Sequence, residues 1–164
     1  LLRPHATRTS GPAQRCMSES VKTTRPTGLP PAVTEPMPRD QWSARLPIRA
    51  RRLAGDAIGD RPVYLLLKTS TRVDVGSWLG SARVWLACLD GEVVLLAAGP
   101  RPLDLRLPAS ELCESAYNPV TGQLLLAPAG HRNVPPLGLP PREAYQVLAQ
   151  IFADEETPHA PDLS

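Results

Sequence analysis

The chain of 164 residues has room for one ordinary domain plus an extension, and its net charge of +2 conceals an uneven distribution. Residues 1–61 hold 11 Lys and Arg against 5 Asp and Glu, a net of +6, whereas residues 62–164 hold 7 against 11, a net of −4. The longest apolar runs, Val84–Leu89 and Val93–Ala98, are far too short to cross a bilayer, and Cys16, Cys88 and Cys113 have neither metal-knuckle nor redox-pair spacing.

The sequence opens Leu1-Leu2-Arg3, and Met17-Ser18-Glu19-Ser20 reads as an alternative start. Arg3, Arg8 and Arg15 precede no apolar signal-peptide core, so a cytoplasmic protein with reduced thiols is expected, although spacing alone leaves a Cys88–Cys113 bond open. Seven prolines and a sparse apolar content make residues 1–40 an expected disordered segment, because too little surface is available to offset the entropy of ordering. Trp42, Leu46, Leu53 and Ala57 follow with helical spacing, but Pro47 interrupts one continuous helix. A short helix over 48–58, ended by Gly59, is predicted. Residues 1–61 are therefore read as a basic, proline-rich tail. Arg45, Arg49, Arg51 and Arg52 are its candidate tether to an anionic lipid surface or to nucleic acid, with a merely solvated tail as the plainer alternative.

The folded region is predicted over 62–153. Val63–Ser70 reads as a strand, residues 71–81 as a loop and Ala82–Leu89 as a second strand. Asp90-Gly91 between apolar runs signals a hairpin into Glu92–Ala98. Leu103, Leu105 and Leu107 alternate with Asp104 and Arg106, the pattern of a strand with one wet face. Leu112–Asn118, Gln123–Ala127 and Pro136–Leu139 complete seven strands, with Asn118-Pro119-Val120-Thr121-Gly122 as a turn. Pro140-Pro141 then opens a helix whose stripe is Ala144, Val147, Leu148 and Ile151, and residues 154–164 form a polar tail.

Seven antiparallel strands followed by one amphipathic helix is the order found in pleckstrin-homology-like (PH-like) domains, and residues 62–153 resemble the small bacterial PH-like and GRAM-type domains. The resemblance implies a mainly β fold, a seven-stranded antiparallel barrel or sandwich capped by its C-terminal helix. It further implies that partners meet loops at the uncapped end. Lipid-binding members resemble one another in a run of cations from the first strand into the second. Lys68, Arg72 and Arg83 lie in that region, but Ser81 stands where another cation would be expected and Asp74 adds a negative charge.

Chemistry-bearing constellations are thin. His5, His131 and His159 are scattered, and Ser77, Ser81 and Ser110 have no histidine partner suggested by the sequence. Glu111 and Glu114 read more simply as exposed charges than as a catalytic pair, and Gly76 and Gly80 lack phosphate-loop spacing. In the loop Val73–Gly80, Trp78 either folds back over the barrel end or joins Val75 and Leu79 in an exposed patch. The expected function is a non-enzymatic binding or scaffold module without cofactor. Its partner is expected to be a protein, with Lys68, Arg72, Trp78, Leu79 and Arg83 as the candidate contact for that partner or for a lipid. The rivals are the basic tether and an enzyme of unrecognised type.

Overall fold

A computed structural model describes residues 27–78, 80–127 and 134–153. The predicted tail 154–164, His5, His131, His159, Cys16, Met17 and Leu79 lie outside the described residues. Two helices come first, α1 (Arg39–Ala44) and α2 (Ile48–Ile58). Strands β1 (Val63–Ser77), β2 (Gly80–Leu89), β3 (Glu92–Ala97) and β4 (Leu103–Pro108) form an antiparallel sheet in sequential order. A second antiparallel sheet holds β5 (Ala116–Asn118), β6 (Gln123–Leu125) and β7 (Leu137–Gly138), and helix α3 (Pro141–Ala153) closes the order. The mainly β architecture and the C-terminal helix agree with the sequence reading. The strands fall into two sheets, however, and not into one closed barrel.

The first sheet is covered on both faces. One face sends Leu65, Val84, Leu86, Cys88, Val93, Leu95, Ala97 and Leu107 into a core shared with Leu124, Leu137 and the stripe of α3. The other sends Leu66, Ala87, Leu89, Val94 and Leu96 into a second core with Trp42, Leu46, Ala50, Ala54, Ala57 and Ile58. Hence Leu86–Leu89 of β2 and Val93–Ala97 of β3 are buried without a break, because an apolar run without alternation fills both sides of a sheet. Strand β4 lies at the edge beyond the reach of the helices, so Asp104 and Arg106 remain exposed and pair with each other.

This second core corrects the reading of residues 27–61 as a tail. Leu29 and Val33 pack against the first core, and the Val33 N–H donates to Gln150 Oε1 of α3 at 3.1 Å. Met37 bridges to Val63. Trp42 is buried at 1% exposure, and α2 lies where the spacing placed a helix. The prolines of this stretch exclude regular structure but not packing, since a sheet with two apolar faces supplies the contacts that the segment cannot supply itself.

Strand β1 runs seven residues beyond its expected end at Ser70. Thr69, Thr71, Val73 and Val75 continue a period of two that Asp74 and Gly76 obscured. Register irregularities between Lys68 and Arg72 and between Val73 and Ser77 bend the strand toward the second sheet. There the Thr71 hydroxyl donates to the Pro136 carbonyl and accepts from the Gly138 N–H, both at 2.8 Å. Gly138 permits this approach, since a β-carbon at that position would run into the Ser70 side chain. The predicted fifth strand from Leu112 starts later, because successive turns through Ala109, Leu112 and Ser115 carry the chain across the core first.

Candidate functional site

The helix-facing side of the first sheet is only partly roofed. Lys68 stands opposite Trp85, and Arg72 opposite Arg83, in the β1–β2 register. Residues directly opposed in an antiparallel pair share a face, so all four lie on one surface. Helix α2 packs over the far part of that face and leaves Trp85 half-buried. Lys68 Nζ lies 6.0 Å from the Trp85 ring centroid, at the outer limit of a cation–π contact.

Between the first turn of α2 and the strands runs a groove of about 190 Å³, lined by Pro47, Arg49 and Ala50 on one side and by Ala82, Arg83, Trp85 and Ala98 on the other. A second lobe of about 180 Å³ shares Arg49 and Ala98 and continues past Arg52, Leu53, Asp56 and Pro102. Its floor is apolar and its rim is cationic. Among the described residues Arg49, Arg72 and Arg83 are exposed and form no ion pair. The Arg72–Arg83 arrangement is unfavourable in itself, because like charges directly opposite on neighbouring strands repel. Arg49 is also poorly placed for its helix: the first turn of α2 has no acidic residue, and a cation there opposes the helix dipole.

At the far end of β1 and β2, Trp78 is 92% exposed, so it does not fold back over the core. The strand end before it is braced. Val75 is buried, its carbonyl accepts from the Arg101 N–H at 2.7 Å, and a β-carbon on Gly99 would overlap its side chain. Asp74 accepts from the Gly76 N–H at 2.8 Å and is thereby committed to the local turn. The exposed patch of Val75, Trp78 and Leu79 thus loses Val75 to the core, and Leu79 lies outside the described residues.

The candidate tether divides. Arg51, though exposed, folds back onto the end of α1, its Nε donating to the Leu46 carbonyl at 2.9 Å and its Nη2 to the Ala44 carbonyl at 3.4 Å. It closes the end of α1 and is structural. Arg45 is the exposed C-cap of α1, while Arg49 and Arg52 line the groove. The structure therefore joins Arg49 of the tether set to Arg83 of the strand set. Sequence reasoning treated the two sets separately. The signal that could have united them was the unbroken apolar runs Val84–Leu89 and Val93–Ala98, which call for a covering element on each face.

Among the described residues no three His, Cys, Asp or Glu side chains gather as a metal site. Cys88 and Cys113 are not bonded to each other. No described helix is long and apolar enough to cross a membrane. Comparison of the chain with protein-family models, curated proteins and solved structures finds no match.

Proposed function

We propose that this chain is a PH-like, non-enzymatic binding module that engages a protein partner through the hairpin end of its first sheet. The order of four strands, three strands and a helix supports the PH-like reading. The helical layer of α1 and α2 is an addition to that pattern.

The observation that carries the binding role is Trp78. An indole held 92% exposed beyond a braced strand end gains nothing from the fold, whereas burying it against a partner contributes strongly to association. The test is affinity capture with the full chain and with Trp78→Ser. The variant should retain its thermal midpoint, because it loses no intramolecular packing, and should lose the partner. Capture by the native chain should persist from low to physiological salt, since an apolar contact is weakly screened. Equal capture by both proteins would overturn the assignment. Steep loss of capture with salt, shared by Arg45→Ala and Arg52→Ala, would instead favour the basic tether.

A further inference from the structure

We infer that the groove between α2 and strand β2, closed by Ala98 after β3, binds an acidic peptide segment, with a carboxylate held by Arg49 and Arg83 and an adjoining apolar side chain laid against Trp85. The inference rests on the reading of this chain as a binding module and adds a ligand class at a surface other than Trp78.

Three observations converge. Arg72 and Arg83 repel each other across β1 and β2, Arg49 opposes the dipole of its own helix, and no described carboxylate pairs with any of them. Arg61, by contrast, caps the last turn of α2 and pairs with Glu92, and Arg39 pairs with Asp60, while Arg45, Arg52, Arg101 and Arg142 form no ion pair among the described residues either but do not face a second cation across an apolar floor. An anion between Arg49 and Arg83 would relieve both unfavourable placements and accept charge-assisted hydrogen bonds. Immediately below lie Ala50, Ala82, Ala98 and the indole of Trp85, a floor for an apolar group and not for water.

The shape and the charge pattern select a peptide. A bilayer surface is flat, whereas the groove is recessed between a helix and a sheet and continues into a second lobe. A nucleic acid carries phosphates at regular intervals, and the second lobe offers the next one Asp56 alongside Arg52, a cation whose charge is already balanced by that carboxylate in the same lobe. A peptide carries its charge locally. It can place Asp or Glu at Arg49 and Arg83 and an uncharged or basic residue beside Asp56.

The test is an array of short peptides pairing Asp or Glu with Leu or Phe in both orders, each with a Lys-substituted twin, probed with the full chain. The hits are then titrated by fluorescence anisotropy. The acidic peptides should bind and their twins should not. Arg83→Glu and Arg49→Glu, both surface changes checked by thermal melting, should each weaken binding by about tenfold or more. Arg83→Gln supplies the milder variant should the reversal unfold the chain. Trp78→Ser should leave peptide affinity unchanged, which separates this inference from the role of the hairpin tip. Absence of acidic hits, or affinity indifferent to both reversals, would overturn it. So would tighter binding to a single-stranded oligonucleotide or to vesicles containing phosphatidylserine, each of which would reassign the cations.

Discussion

Cys88 illustrates how a single side chain reports on its surroundings. It lies on β2 facing the larger core, fully buried, and desolvation pushes its thiol from 9.0 up to about 12. Well below pH 9 the thiol is protonated in the folded and the unfolded chain, and its burial costs no ionisation energy. From about pH 9 to about pH 12 the unfolded chain releases the proton and the folded chain holds it. Unfolding is then favoured, so stability falls as pH rises. Urea midpoints measured from neutral pH to about pH 10 should decline for the native chain and less steeply for Cys88→Ala. Parallel curves would mean that the thiol is solvated. The same burial should shield Cys88 from thiol reagents until the protein unfolds. Arg51 makes the complementary point: counted among tethering cations, it spends its guanidinium on the carbonyls of Ala44 and Leu46, and only three-dimensional contact distinguishes it from Arg49.

At the scale of elements, legibility followed the source of each element's stability. Strands β2, β3 and β4 and helix α3 carry their pattern in their own residues, and the sequence placed them to within a few positions. The alternation of Leu103, Leu105 and Leu107 correctly assigned Asp104 and Arg106 to the wet face. Helix α1 is six residues long, lacks a side-chain cap and would not form alone. Its order derives from Trp42, which enters a core contributed by the sheet, and such long-range contacts leave no local trace. The groove was illegible for the same reason, since Arg49 and Arg83 meet only once α2 has docked. Trp42→Ala should therefore cost about 3–5 kcal/mol, the range for emptying a large buried aromatic position. Ile48→Ala, on an adjacent helix but 80% exposed, should change stability by less than about 0.5 kcal/mol. Chemical denaturation of the two variants decides whether residues 39–58 belong to the cooperative unit, and equal midpoints would place them outside it.

For the whole molecule, the central fact is one sheet with two apolar faces. The face toward α3 was foreseen, because the stripe of Ala144, Val147, Leu148 and Ile151 requires a partner. The face toward α1 and α2 has no such local signal, and the sequence places the folded region at residues 62–153 alone. Released from residues 1–61, a fragment 62–164 would expose Leu66, Leu89, Val94 and Leu96 together, each at most 6% exposed in the folded chain. Burying a large aliphatic stabilises by about 1.5–3 kcal/mol, so four of them contribute on the order of 6–12 kcal/mol, an upper estimate because unfolded chains are partly collapsed. The stability of a domain this size is about 5–15 kcal/mol, so losing half of that contribution, about 3–6 kcal/mol, is comparable with the lower end of the margin. The exposed face would also be a contiguous apolar patch of the kind that drives self-association. Residues 62–164 expressed alone should accordingly aggregate or melt without a cooperative transition, whereas the full chain should unfold in one step by circular dichroism and by tryptophan emission alike. Trp42 reports the helical layer and Trp85 the sheet, so replacing either indole by Phe in a Trp78→Phe background reads the two layers separately. Coincident transitions for both probes would mark one cooperative unit. A fragment 62–164 that remains monomeric and melts sharply would show instead that α1 and α2 dock on a domain already complete.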